Sequence, residues 1–327
     1  MKKNITLLLL LFSLSTFAQE NFKRTLILMG SRFDITVVAS NEKEGNEYLD
    51  SAIFEITRIE KLISSWDLNS ETSLINKHSG IKPIKVDKEL FDLIERSIAI
   101  SKLTNGAFDI SYASMDRIWN YDGSMRKMPS EEEISNSIKK VGYQNISIDK
   151  EAQTVFLKLK GMKIGFGAIG KGYAADKAKA LLIEKGVKAG IINASGDLNA
   201  WGKQADGSDW MVAITNPLNK NKVFSWLPIN DSAIVTSGNY EKFISFDGIR
   251  YSHIIDPRTG YPSTGIISTS IMTSNAELAD AISTSVFVMG VETGLDFINQ
   301  LKGVDCIIID EENKIHISNN IKLSNTN

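Results

Sequence analysis

The stretch Thr236–Pro262, TSGNYEKFISFDGIRYSHIIDPRTGYP, constrains the fold more than any other part of this 327-residue chain. Asp247-Gly248 sits between two runs of alternating apolar residues, the pattern of a tight β-hairpin turn. A hairpin forces antiparallel pairing, so a purely parallel sheet is excluded for this region. The second strand ends at His253, one of only three histidines, and Asp256 follows just before a Pro-Arg-Thr-Gly turn. An imidazole, a carboxylate and the hydroxyls of Thr236 and Ser237 in so short a stretch suit one wall of a polar cleft.

The remaining segments agree with that constraint. Arg24–Met29 and Arg32–Val38 read as strands parted by Gly30, the second alternating through Phe33, Ile35 and Val37. Asn41–Ile63 has helical periodicity, and Asp87–Thr104 is a second amphipathic helix with Asp87 as its N-cap. A charged helix is expected over Met128–Val141, then strands at Ile146–Ile148 and Thr154–Leu159. Met162–Phe166 reads as a strand leading through Gly167–Gly172 into a helix, Tyr173–Lys185, and a strand, Ala189–Ala194. Strands follow at Trp210–Thr215, Lys222–Pro228, Ala233–Thr236 and Ile266–Met272; helices at Ala276–Met289 and Val291–Leu301; closing strands at Cys306–Asp310 and Lys314–Ile317. Mixed helices and strands with several hairpins predict an α+β fold around a mostly antiparallel sheet with flanking helices.

Composition removes some functions. A net charge of −2 offers no basic excess for neutralising phosphates, so no nucleic acid is expected as a partner. The single cysteine, Cys306, lies in an apolar run and cannot form an internal disulfide. No cluster of His and Cys has the spacing of a zinc site. Lys2 and Lys3 precede an apolar run, Ile5–Phe12, and a small-residue exit ending at Ala18. That layout predicts a cleaved signal peptide over residues 1–18, without a lipobox cysteine, and a periplasmic mature chain from residue 19.

Two further stretches carry chemistry. Gly165-Phe166-Gly167-Ala168-Ile169-Gly170-Lys171-Gly172 fits GxGxxG through Gly165, Gly167 and Gly170, with Asp197 as the approximate acid on the next strand. It also fits a Walker A loop through Lys171, but Gly172 stands where Ser or Thr should be. A dinucleotide-binding dehydrogenase would rest on this pattern alone. Glycine N–H groups, a helix N-terminus and Lys171 together suit an anion such as a phosphate; a tight strand-to-helix turn is the plainer alternative. In Ala279–Thr284, Asp280 and Thr284 are four apart and share a helix face. Their oxygens suit a hard cation such as Mg²⁺, while helix capping and back-bonding would use the same residues structurally.

Taken in order, Met29-Gly30-Ser31-Arg32-Phe33, Ser64-Ser65-Trp66, Gly106-Ala107-Phe108-Asp109-Ile110, Gly170–Asp176, Asn193–Asp197, Thr236–Tyr240, Ser252–Pro262 and Ala279–Thr284 resemble the FAD:protein FMN transferase (ApbE) family. The resemblance runs from Leu28 to about Ile309. It implies an ApbE-like, T-fold-related single domain over 19–327, and an exported enzyme that cleaves FAD, releases AMP and attaches FMN to a threonine. Its acceptor would be a flavoprotein subunit of a membrane redox complex. By position, Met29, Trp66, Ala107, Phe108, Asp109, Lys171 and the backbone at Ile255 would hold the flavin nucleotide. Gly165 stands at a nucleotide-contacting position where the family usually has Asp. The carbonyl of Ala168 with Asp280 and Thr284 would bind Mg²⁺. Ser283 replaces an acidic ligand of some members, and Ser195 a usual glycine.

A threonine nucleophile needs a base, and His253, oriented by Asp256, is the expected one; a hydrogen-bonded structural histidine is the alternative. Asp109 is a second candidate, as base or as metal-side ligand. Two other activities would use the same binding residues: a Mg²⁺-dependent FAD pyrophosphatase with water as nucleophile, and a non-enzymatic FAD carrier.

Overall fold

A computed structural model describes residues 19–215, 223–239 and 242–321 of the chain. The expected signal peptide therefore lies outside the described residues. The chain opens with a hairpin of β1 (Glu20–Leu28) and β2 (Ser31–Ala39), followed by α1 (Glu42–Ile63). Asn41 caps α1, its side chain accepting from the Glu44 N–H. Next come α2 (Glu71–Lys77), β3 (Ile84–Lys85) and α3 (Lys88–Leu103), the last capped by Asp87 as expected. After a long loop come α4 (Glu131–Ser137), β4 (Ile146–Asp149), β5 (Thr154–Leu157) and α5 (Gly170–Glu184). The strands β6 (Gly190–Ala194), β7 (Asp197–Trp201), β8 (Trp210–Thr215), β9 (Val223–Ile229) and β10 (Ala233–Gly238) follow. The hairpin β11 (Phe243–Phe246) and β12 (Ile249–Ser252) leads to β13 (Ile266–Thr273), α6 (Ala276–Met289), α7 (Val291–Asn299), β14 (Asp305–Asp310) and β15 (Ile315–Ile317).

Eight strands form the central sheet in the order β1-β2-β6-β7-β10-β13-β14-β15, and every pairing is antiparallel. The α+β, antiparallel expectation is met. Alternation in β2 sends Phe33, Ile35 and Val37 into the core shared with α1, α5 and α6, while Val38 faces a smaller cluster with Trp210, Val212 and Ile229. The β8–β9 ribbon thus covers the face of the sheet opposite the helices. Asp247 and Gly248 both take left-handed φ, 50° and 80°, as a two-residue hairpin turn requires.

Two expected elements are corrected. Met162–Phe166 belongs to no strand, because side chains take up its backbone groups in place of a ladder. Asn76 pairs with both the N–H and the carbonyl of Ile164, at 2.8 and 3.0 Å. Ser114 does the same for Lys163, at 2.7 Å on each side, and the Gly165 N–H donates to the Ile110 carbonyl. The helix expected over Met128–Val141 is confined to Glu131–Ser137, opened by a capping box between Ser130 and Glu133. Three elements, α2, β3 and β7, have no counterpart in the sequence periodicity.

Gly172 explains why α5 can cross α6 so closely. A Cβ at this position would lie 2.1 Å from the Ala276 carbonyl oxygen, which is backbone and cannot swing aside. Asp176, one turn on, accepts from the N–H groups of Ala276 and Glu277 at 3.0 and 2.9 Å and so caps α6 from outside its own chain segment. Gly172→Ala is expected to lower stability by about 1–3 kcal/mol through overpacking. Denaturant unfolding measures this, and an unchanged midpoint would show that the helices part without cost.

Candidate active site

A cleft of about 1830 Å³ opens along one side of the helices and sheet. The glycine loop, the start of α5, the α6 face, the ends of β7 and β10, the loop after α3 and the segment after β12 all reach it. Trp66, Ala107, Phe108, Asp109, Gly165, Ala168, Lys171, His253, Ile255, Asp280 and Thr284 line it together. Met29 and Asp256 do not. Met29 sits at the β1–β2 turn with a left-handed φ of 51°, and its neighbour Ser31 reaches the cleft instead.

The glycine loop is neither of the nucleotide motifs it imitates, since no strand precedes it. Its helix start places Lys171 against Asp197, the first residue of β7, in a close ion pair. Asp197 is only 2% exposed, and Asp280 is also buried. Burial raises the pKa of the Asp197 carboxyl, Asp280 nearby raises it further, and Lys171 opposes both. Burial likewise raises Asp280, opposed by Lys171 and by the Gly172 N–H, which donates to its Oδ2 at 3.1 Å. Burial alone would lower the Lys171 pKa, but Asp197 and Asp280 prevail and hold it above the ordinary lysine value. Two buried carboxylates thus share one ammonium ion and the N-terminal end of α5.

This arrangement fits a hard cation. Asp280 and Thr284 share a face of α6, and the Ala168 carbonyl belongs to the adjacent loop, giving an oxygen-only donor set with a carboxylate in excess over Lys171. Among the described residues no group of three or more His, Cys, Asp or Glu could hold a metal by itself. Backbone, hydroxyl and ligand oxygens would have to complete its shell. Ser283 faces Ser237 of β10, their hydroxyls 2.8 Å apart, and also bonds back to the Asp280 carbonyl at 2.9 Å.

On the opposite wall, His253 follows β12 directly. Its backbone N–H and its Nδ1 both lie 3.1 Å from the Lys242 carbonyl. A carbonyl only accepts, so Nδ1 carries the proton and Nε2 keeps its lone pair. Protein crowding around the ring, which still has an edge open to the cleft, lowers its pKa below the ordinary imidazole value; the Lys242 carbonyl works against this. The expectation that Asp256 orients His253 is not met. The Asp256 carboxylate closes on Arg258, accepting from its backbone N–H, Nε and Nη2 at 2.8 to 2.9 Å.

Asp109 is tied up as well. Its oxygens accept from the N–H groups of Ser111 and Tyr143, each at 2.7 Å, and burial raises its pKa. One bond on each oxygen braces the loop after α3. Trp66 is 79% exposed, with the Arg117 guanidinium 5.3 Å from its ring centre. The sequence patterns offer Asp197 only as the approximate acid of a dinucleotide motif and do not mark Arg117, Tyr112 or Tyr121, all of which line the cleft. The placement of Asp197 at a strand start beside a left-handed Ser195-Gly196 turn was the available signal.

The ApbE family profile matches residues 29–308. A relative from Klebsiella pneumoniae (strain 342), named FAD:protein FMN transferase, is 28% identical over 295 residues, spanning 89% of this chain and 90% of that one. One of the same name from Escherichia coli (strain K12) is 27% identical over 290 residues, spanning 87% and 82%. The crystal structure of the ApbE protein from Thermotoga maritima superimposes with a TM-score of 0.83 at 30% identity, covering 92% of this chain and 97% of that one. The apo form of Pseudomonas stutzeri flavinyl transferase ApbE shares the fold, with a TM-score of 0.81 at 24% identity, covering 92% and 95%. The profile takes in every strand from β2 to β13 and each element that walls the cleft, and the chain belongs to the ApbE family.

Proposed function

We propose that this chain is an FAD:protein FMN transferase that splits FAD, releases AMP and joins FMN through a phosphoester to a threonine of a target flavoprotein. One observation carries the reading: Lys171, the Asp280/Thr284 pair and His253 reach a single cleft from three distant parts of the chain. Its 1830 Å³ exceed the roughly 300–1,000 Å³ of ordinary small-ligand pockets, which leaves space for a dinucleotide and an acceptor side chain together. The names of the relatives support the flavin and the transfer; the metal, the AMP product and the threonine are our reading of the site.

The threonine oxygen attacks the phosphorus of the flavin half of FAD. A new P–O bond forms to threonine, the bond to the bridging oxygen breaks, and AMP leaves with that oxygen. Nε2 of His253 takes the threonine proton. Lys171 offsets charge on the pyrophosphate, which such transfers need more than covalent catalysis. Mg²⁺ held by the Ala168 carbonyl, Asp280 and Thr284 would supply further charge neutralisation there. Trp66, Ala107, Phe108, Gly165 and the backbone at Ile255 would enclose the nucleotide, and Asp109 would hold that wall in place. The acceptor would be a subunit of a membrane redox complex, met by a single exported domain, residues 19–327, after removal of residues 1–18.

Incubation with FAD, Mg²⁺ and an acceptor bearing a threonine site should add one FMN mass to that threonine and release one AMP per addition, read by mass spectrometry and chromatography. Rapid AMP release without acceptor would favour the pyrophosphatase instead, and intact FAD would favour a carrier.

His253→Ala should slow transfer by about 10²–10⁴-fold while FAD still binds. A general base must be neutral, and burial lowers the His253 pKa. Transfer should therefore be independent of pH above the ordinary imidazole value and fall only below it. A rate profile still rising well above that value would remove His253 from the role.

A further inference from the structure

We propose that Tyr121 is a positioning residue for His253, an inference that rests on the reading of His253 as the base. Tyr121 lies in the loop between α3 and α4, far from His253 in sequence. Its hydroxyl donates to the Ser252 carbonyl at 2.7 Å, on the residue immediately before the imidazole. Its ring also meets the imidazole edge-on, with centroids 6.4 Å apart and planes at 83°. Ser252 itself is fully buried. The imidazole is therefore fixed from two directions, by the Lys242 carbonyl at Nδ1 and by Tyr121 at the backbone and ring.

Tyr121 can do this because its own loop is anchored. Trp119, two residues earlier, donates its indole N–H to the Gly260 carbonyl at 2.9 Å. Gly260 has a φ of +77°, and a Cβ there would lie 2.9 Å from a methyl of Ile138, so the turn seats directly on the end of α4. Loop, turn and hairpin thus form one unit around the imidazole.

Among the described residues, few groups face His253. Lys242, just before β11, is the charged residue that acts on it; Tyr121 faces it from the loop; Asp256 is turned onto Arg258. The Tyr121 ring supplies part of the crowding on one side of the imidazole.

The test compares wild type, Tyr121→Phe, Tyr121→Ala and His253→Ala in FMN transfer to a threonine acceptor. FAD affinity is read by flavin fluorescence, folding by unfolding midpoints, and imidazole titration by NMR of the three histidines. Tyr121→Phe, which loses only the hydroxyl, should lower kcat by roughly two- to tenfold with FAD affinity unchanged. Tyr121→Ala should lower kcat by about 100-fold and move the His253 titration up towards the ordinary imidazole value. If Tyr121→Ala does not fold, the kcat of Tyr121→Phe decides. An inactive His253→Ala beside wild-type kcat in the Tyr121 variants would overturn the positioning role alone. A fall in FAD affinity that accounts for the whole loss would do the same. A fully active His253→Ala would overturn the base and, with it, this inference.

Discussion

The cleft depends on how closely α5 can approach α6. Gly172 lets the backbone of α5 rest against the Ala276 carbonyl, and no other residue would fit between them. From that contact three hydrogen bonds follow. The Gly172 N–H reaches Asp280, and Asp176 closes over the first N–H groups of α6. Arg96 holds the same end of α6 through Glu277, with contacts of 2.7 and 3.1 Å. Lys171 is carried to Asp280 only because its neighbour has no side chain. The glycine that spoils the Walker A pattern at the eighth position is thus the one that this fold requires.

Burying two carboxylates beside one lysine is costly, because desolvation of each ion is offset only by good partners. Here the partners are the Lys171 ammonium and the amide groups at the start of α5. What is left is an excess of negative charge at the floor of a cleft proposed to receive a pyrophosphate. A hard cation, as proposed, would reconcile the two, since it would satisfy the carboxylates and present positive charge to the phosphates. The stabilisation of the floor and the recognition of the substrate are in that sense one electrostatic problem.

Much of this was legible in the residues. The Asp247-Gly248 turn, the caps at Asn41 and Asp87, and the alternation in β2 are local signals, and local physics decided them. The ordered motifs also marked the glycine loop, the end of β10 and the α6 face of the cleft, but not the stretch from Tyr112 to Asp122. Of the readings that failed, two turned on remote contacts and one on a closer competitor. Met162–Phe166 has the composition of a strand, but its hydrogen bonds go to Asn76 and Ser114, which no periodicity announces. Asp256 is close to His253 in sequence, yet the turn that follows favours the shorter reach to Arg258. Tyr121 carries no motif at all, and only the folded loop brings it to the imidazole.

The two walls of the cleft also rest on different foundations. Lys171 and Asp280 lie on helices packed into the main core, whereas the hairpin before His253 packs with Trp119, Ile134, Ile244 and Ile255 in a small separate cluster. Ile254, beside the imidazole, touches the main core instead, so His253 stands on the seam between them. A small cluster opens locally at a lower free energy than a large one. Loosening it would blur the position of the base while the melting transition, governed by the main core, stayed in place. On the proposed mechanism, the rate of proton transfer and the resistance to heat would be set by different sets of side chains.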